Sequence, residues 1–148
     1  MKKSKDIPPT YFYLCIAIVV VSWLAFPGMQ VVGFPESLLG LAVTALGAAL
    51  TFWPWKLFMK HNTPESFKPS TYLVKEGPFR FSRNPMYLGM VMFLLGLAIA
   101  SGNLVSFISP AVFFIVMHVR FIPFEEERMK KPFGEKYLDY KKRVRRWI

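Results

Sequence analysis

The sequence has a single cysteine and few acidic residues. Cys15 is the only cysteine among 148 residues, so the chain cannot form an internal disulfide and is not a disulfide framework. Asp and Glu total 9 against 19 Lys and Arg, which gives a formal net charge of +10. A nucleic-acid-binding domain this basic would be poorer in apolar residues, yet 53% of the chain is hydrophobic. A disordered chain, a multidomain enzyme and a nucleic-acid partner are therefore excluded.

Charge is also missing from the middle of long apolar runs. Four such runs lie at about residues 11–26, 37–59, 86–100 and 104–124. A helix needs about 20 mainly apolar residues to cross a bilayer, and the second and fourth runs reach that length. The third run is separated from the fourth only by residues 101–103, which indicates a tight helical hairpin. The sequence predicts an all-α polytopic membrane protein with four transmembrane helices.

The basic residues predict the orientation of these helices. With four spans, all 19 Lys and Arg fall on one side of the membrane, which the positive-inside rule identifies as the cytoplasm. We therefore expect a single membrane-embedded domain, residues 1–148, in an inner or plasma membrane. Both termini, the loop 60–85 and an amphipathic helical tail 125–148 would be cytoplasmic. No cleavage motif follows the first run, so we interpret it as a retained span. A proton-coupled transporter is disfavoured, because it usually needs a buried ionisable group.

The end of the cytoplasmic loop contains turn and helix-start signals. Gly77-Pro78 predicts a turn, and Asn84-Pro85 predicts an N-cap followed by Pro in the first helical turn. A helix start offers unpaired N–H groups to a carboxylate or phosphate, and Arg80 and Arg83 would add positive charge. The alternative is that Asn84-Pro85 is only a cap and that the two arginines only enforce topology.

The cytoplasmic tail combines an acidic triplet with a basic amphipathic segment. Its apolar stripe comprises Met129, Phe133, Tyr137, Tyr140, Val144 and Trp147. Pro132 and Gly134 predict a break between a short helix and a longer one, which either lies along lipid headgroups or folds onto the middle loop. The glutamates 125–127 repel one another, so they need positive partners. These would be Arg120, Arg128, the tail lysines, the helix N-terminus, or the ammonium or ribose hydroxyls of a ligand.

Two cytoplasmic segments together resemble the integral-membrane methyltransferases that include isoprenylcysteine carboxyl methyltransferase and the phospholipid N-methyltransferases. The first segment is Leu73-Val74-x-x-Gly77-Pro78-Phe79 with Arg83-Asn84-Pro85-Met86-Tyr87-x-Gly89. The second is Glu125-Glu126-x-x-Met129-x-x-x-Phe133-Gly134-x-x-Tyr137-x-x-Tyr140-x-x-x-Val144. The resemblance covers roughly residues 70–148 and implies a methyltransferase that uses S-adenosylmethionine as its cofactor. The cofactor contacts that it implies are Tyr72, Leu73, Val74, Phe79, Asn84, Pro85, Tyr87, Glu125 and Glu126.

The sequence departs from this family at two positions. Asn84 stands where the family commonly has His, and an amide cannot become cationic or shuttle a proton. Phe121 stands where the carboxyl methyltransferases have an Arg that meets the acceptor. Arg120 is adjacent but lies about 100° away around a helix. We expect Arg120 or Arg83 to orient an anionic acceptor.

These features predict an S-adenosylmethionine-dependent methyltransferase whose acceptor is a lipophilic small molecule or lipidated compound at the cytoplasmic membrane face. Methyl transfer from a sulfonium needs mainly positioning and exclusion of water, which suits a sequence without an evident nucleophile, acid-base pair or metal-ligand set. His61 and His118 are isolated along the sequence. The alternatives are a phospholipid N-methyltransferase of the same family and a non-catalytic membrane protein that binds anionic lipid or a partner through its basic tail.

Overall fold

The computed structural model describes residues 8–61 and 72–148, and within these ranges the chain is helical with no β-strand. The helices are α1 (Pro8–Ala25), α2 (Ser37–Lys60), α3 (Pro85–Ser101), α4 (Ile108–Val116) and α5 (Ile122–Arg143). Short 3-10 turns lie at Pro27–Met29, Gly77–Arg80 and Leu104–Phe107, and a π-helical segment, Met117–Phe121, joins α4 to α5. The predicted all-α fold is confirmed, and α1, α2 and α3 lie within a few residues of the predicted apolar runs, whereas the helical stretch of the fourth run extends to Arg143.

Three helical stretches in the described part of the chain are long and apolar enough to cross a membrane. They are α1, α2 and the continuous stretch Leu104–Arg143, whereas α3 has 17 residues and is shorter. Large apolar side chains remain exposed on these helices, as lipid-facing residues do. Examples are Trp23, Leu24, Leu41, Leu46, Phe52 and Ile115.

Helices α2 and α3 pack closely because glycines face each other across their interface. A Cβ on Gly47 would meet the backbone of Gly89 and Phe93 at less than 3 Å, and a Cβ on Gly96 would meet Thr44 in the same way. Small residues permit this approach of two backbones, which is the usual packing of helices inside a bilayer. The short helix α3 is therefore held against a helix of full spanning length.

The predicted hairpin between the third and fourth runs is confirmed. Gly102, with a φ of +66°, ends α3 in the left-handed conformation that favours glycine. The buried Asn103 side chain donates to the Phe26 carbonyl (2.6 Å) and accepts from the Val105 N–H (2.9 Å). The hairpin is thereby tied to the end of α1, at the end of α3 that lies away from Arg83 and Asn84.

The fourth apolar run continues without interruption into the tail. The helical stretch widens into the π segment Met117–Phe121 and then continues as α5. Gly134 (φ 45°, ψ −125°) interrupts the helical geometry of α5, whereas Pro132 lies within it. The predicted break in the tail therefore occurs at Gly134.

Candidate functional site

The start of α3, the helix α5 and the C-terminal segment 144–148 meet at one place. Helix α3 begins at Pro85 with Asn84 at the N-cap position, as predicted. The Asn84 side chain, however, makes no capping hydrogen bond, and its Nδ2 donates to the Arg146 carbonyl (3.0 Å). The backbone N–H of Arg83 also donates to the Arg145 carbonyl (3.0 Å). The last residues of the chain therefore lie directly on the loop that precedes α3.

Tyr87 connects the two segments of the methyltransferase-like motif. This buried tyrosine donates a hydrogen bond of 2.7 Å from its hydroxyl to Oε1 of Glu125. Burial raises the pKa of the Glu125 carboxyl, although the Tyr87 hydrogen bond and the charge of Arg128 oppose the rise. A desolvated carboxylate of this kind gains from an additional positively charged partner.

The carboxylate of the next residue, Glu126, contacts three cations. We call this group of four side chains the Glu126 cluster: Arg83, Glu126, Lys141 and Arg146. Arg146 meets the Glu126 carboxylate through two hydrogen bonds, Nε to Oε1 and Nη2 to Oε2, both of 3.1 Å. Lys141 Nζ lies 2.9 Å from Oε2, and Arg83 Nη1 lies 3.0 Å from Oε1. The cluster joins the loop, α5 and the C-terminal segment.

The cations change the acidity of Glu126. Burial acts to raise its pKa, but hydrogen bonds from Arg146 and Lys141 and the charge of Arg83 outweigh burial, so the pKa lies below its ordinary value of 4.5. The adjacent carboxyls of Glu125 and Glu126 are therefore shifted in opposite directions. A positively charged ligand would compete with fewer protein cations at Glu125 than at Glu126.

The loop residues predicted to contact the cofactor have different surroundings. Val74 and Phe79 are buried, and the Phe79 carbonyl accepts a hydrogen bond from the Tyr140 hydroxyl (2.7 Å). Tyr72 is 48% exposed and stacks on the ring of His61 at 4.3 Å. The tail thus folds onto the middle loop, which is one of the two arrangements predicted for it.

The two arginines predicted to orient an acceptor are in different places. Arg83 belongs to the Glu126 cluster, whereas Arg120 is exposed and donates to the hydroxyl of Tyr11 in α1 (3.1 Å). The neighbouring Phe121 is buried in the apolar core and packs edge-to-face on Tyr11. At this level of the helix the Phe121 side chain therefore faces the protein interior, and the Arg120 side chain does not.

Sequence reasoning missed the contribution of the C-terminal segment. The sequence predicts Trp147 only as part of the apolar stripe of the tail, whereas in the structure Trp147 Nε1 donates to His118 Nδ1 (3.0 Å) and Arg146 pairs with Glu126. His61 also has a partner distant in the sequence, since its Nε2 lies 2.7 Å from Glu76 Oε1. These contacts join residues 15 or more positions apart, and no local pattern signals them.

Comparison with known proteins adds independent evidence. A 122-residue region is 29% identical to protein-S-isoprenylcysteine O-methyltransferase B of Arabidopsis thaliana, covering 82% of this chain and 57% of that protein. A 63-residue region is 33% identical to an uncharacterized protein of Haemophilus influenzae, covering 43% of this chain and 100% of that protein. The chain thus spans little more than half the length of the Arabidopsis relative.

The family model described as phospholipid methyltransferase matches residues 35–136. Because this match includes more than half of the chain and most of the helices around the site, the chain belongs to the phospholipid methyltransferase family.

Proposed function

We propose that this protein is an S-adenosylmethionine-dependent methyltransferase that acts on a lipid-soluble acceptor at the cytoplasmic face of a membrane. The observation that carries the proposal is the hydrogen bond between Tyr87 and Glu125. It joins two segments of the chain, 38 positions apart, whose order and spacing resemble those of membrane methyltransferases. Membership of the phospholipid methyltransferase family supports the same reaction class.

The residues present fit S-adenosylmethionine. This cofactor carries an ammonium, a sulfonium and ribose hydroxyls, and the Glu125 carboxylate, whose pKa is raised by burial, is a suitable partner for such groups. Tyr72, which is 48% exposed, offers aromatic surface to a purine. When bound, the cofactor supplies a methyl group on a positively charged sulfur. The proposed contacts are Tyr72, Leu73, Val74, Phe79, Asn84, Pro85, Tyr87, Glu125 and Glu126.

The chain's own residues would contribute positioning and exclusion of water. Tyr87 fixes the Glu125 carboxylate, and the cations of the Glu126 cluster fix the loop against the tail. A carboxylate acceptor needs no general base, whereas an amine has to lose a proton. Arg83 or Arg120 would orient an anionic acceptor, and Glu126 would act mainly through the cations that it holds.

The proposed topology has four spans, with the termini, the loop 60–85 and the tail in the cytoplasm. The distribution of the 19 basic residues supports this arrangement, in which α3 is the shortest span. The cofactor would enter from the cytoplasm and the acceptor laterally from the bilayer. The acceptor would be a carboxylate, as in the reaction named for the Arabidopsis relative, or a phospholipid amine.

A second candidate is a non-catalytic membrane protein that binds anionic lipid through its tail. The saturation of Glu126 by three cations supports it, because such a network is also what a purely structural tail would need. The two candidates differ in affinity for S-adenosylmethionine and in the ability to transfer its methyl group.

The test is methyl transfer by detergent-purified protein. Lipid extract would be incubated with the protein and isotopically labelled S-adenosylmethionine, and mass spectrometry would identify any lipid that gains the label. We expect a labelled lipid with the unaltered protein, a large loss with Glu125→Gln, and no loss with Glu127→Gln, whose carboxylate is exposed and pairs with Lys130. Equal labelling with and without the protein would overturn the proposal.

A further inference from the structure

Arg83 is a buried cation with unused hydrogen-bonding capacity. Its side chain is only 8% exposed, and its Nε and Nη1 have no hydrogen-bond partner among the described residues. Nη1 lies 3.0 Å from Glu126 Oε1 but outside hydrogen-bond geometry. A guanidinium stays charged in proteins, so burying it without satisfied donors is costly unless a further partner binds.

Glu126 accepts hydrogen bonds from Arg146 and Lys141 but not from Arg83. A carboxylate has about four lone-pair positions. Oε2 accepts from Arg146 Nη2 and Lys141 Nζ, and Oε1 accepts from Arg146 Nε, so three positions are used. Arg83 Nη1 lies near the fourth position, at 3.0 Å from Oε1, without forming a hydrogen bond. The missing acceptor for Arg83 therefore has to come from outside the Glu126 cluster.

The net charge of the Glu126 cluster also favours a negatively charged partner. Three cations surround one carboxylate, which leaves an excess of two positive charges. The side chains of Lys141 and Arg146 are 35% and 29% exposed, so the cluster opens to its surroundings on that side. An anion that enters there would meet charge-assisted donors in a partly desolvated place, where such bonds are strongest.

The surrounding contacts hold the cluster in a defined geometry. The Arg146 carbonyl accepts from Asn84 Nδ2, and the next residue, Trp147, is held by His118. The Arg83 backbone is bonded to the Arg145 carbonyl. Both arginines are thus positioned through their backbones, independently of Glu126.

We propose that Arg83, Lys141 and Arg146 form a subsite for a ligand oxyanion, a carboxylate or a phosphate, and that Glu126 holds these cations in place. The oxyanion belongs either to the amino-acid part of the cofactor or to the headgroup of the acceptor. The inference depends on the proposed function only for the identity of the ligand, since the cation cluster is independent of the reaction.

The first arm of the test examines the cofactor. Calorimetry would compare S-adenosylhomocysteine with 5′-methylthioadenosine, which lacks the amino-acid part, on detergent-purified protein. If the oxyanion is the cofactor carboxylate, Arg146→Gln weakens S-adenosylhomocysteine binding about tenfold or more and leaves methylthioadenosine unchanged. Lys142→Gln is the matched control, because Lys142 is 75% exposed and pairs only with Asp139 in the contacts described.

The second arm examines the acceptor. Thermal unfolding would be followed with short-chain phosphatidic acid and with diacylglycerol of the same chains. If the oxyanion is a headgroup, phosphatidic acid stabilises the unaltered protein and the Lys142→Gln variant more than diacylglycerol does, and Arg146→Gln abolishes the difference.

The inference is overturned if Arg146→Gln binds S-adenosylhomocysteine as tightly as the unaltered protein and keeps the full phosphatidic acid effect. If Arg146→Gln does not fold, the comparison of the two nucleosides and of the two lipids on the unaltered protein still tests the inference. Equal affinity for the two nucleosides, together with equal effects of the two lipids, overturns the inference. If neither nucleoside binds, the proposed function fails, while the lipid arm still reports on the oxyanion subsite.

Discussion

The hydroxyl of Tyr87 lies 2.7 Å from Oε1 of Glu125 and donates a hydrogen bond to it. This contact fixes the first turn of α3 against the start of α5, and it places the raised-pKa carboxyl of Glu125 beside the lowered-pKa carboxyl of Glu126. Three cations contact Glu126, whereas Glu125 accepts a hydrogen bond from Tyr87 and feels the charge of Arg128. The account of the site depends on this difference.

Tyr87→Phe is expected to weaken both folding and cofactor binding. The substitution removes the donor to a poorly solvated carboxylate, which costs about 1 to 3 kcal/mol. Thermal unfolding and calorimetry with S-adenosylhomocysteine would measure the two effects. Tyr13→Phe is the control, since Tyr13 is 69% exposed. Unchanged stability and affinity in Tyr87→Phe would show that the hydrogen bond has no role.

Gly47→Leu is expected to prevent the close packing of α2 and α3. Even a Cβ at this position would overlap the backbone of Gly89 and Phe93, and overpacking of this kind costs about 1 to 3 kcal/mol or more. Size-exclusion chromatography of fluorescently tagged protein would report the loss of folded material. Gly28→Ala is the control, because a Cβ there meets nothing within 4 Å. A monodisperse Gly47→Leu protein of unaltered thermal stability would contradict the described interface.

The Glu126 cluster predicts a loss of stability in acid. The pKa of Glu126 is lower in the folded protein than its ordinary value of 4.5, so its contribution is complete above pH 4.5 and is lost as the pH falls below that value. Protonation would leave Arg83, Lys141 and Arg146 facing one another without the carboxylate. Unfolding temperature measured against pH should show Glu126→Gln less stable than the unaltered protein at neutral pH, with the difference shrinking in acid.

Glu127→Gln is the control for this pH dependence, because the Glu127 carboxylate is exposed and its ion pair with Lys130 is worth little. If Glu126→Gln and Glu127→Gln had the same stability at every pH, the Glu126 cluster would not stabilise the fold.

The proposed topology predicts opposite accessibility for two engineered cysteines. Gln30→Cys lies between α1 and α2, and Lys131→Cys lies in α5. A membrane-impermeant maleimide should label the first in intact cells and the second only after permeabilisation. Cys15 is buried and provides the background control. Labelling of both sites in intact cells would contradict four spans with a cytoplasmic tail.

The sequence was sufficient to predict the helices and several contacts of the site. Apolar runs and the turn residues Gly102 and Asn84-Pro85 act locally, so the helix bounds and the hairpin followed from them. The apolar stripe of the tail also predicted the buried positions of Tyr137 and Tyr140. The resemblance to a family identified Tyr87 and Glu125, which the structure brings into contact.

The remaining features depend on tertiary contacts. The pairing of Glu126 with Arg83 and Arg146 joins residues 43 and 20 positions apart, and nothing near these residues in the sequence selects one cation over another. Asn84 was predicted as the N-cap of α3, but its side chain makes no capping bond and instead donates from Nδ2 to the Arg146 carbonyl, 62 positions away. The π segment Met117–Phe121 has no composition that distinguishes it from an apolar α-helix.

The most direct test of the central claim is calorimetric titration of the intact, folded protein in detergent with S-adenosylhomocysteine. The account predicts saturable binding by the unaltered protein, a loss of about tenfold or more in Glu125→Gln, and unaltered affinity in Glu127→Gln. No binding by the unaltered protein, or undiminished binding by Glu125→Gln, would contradict it.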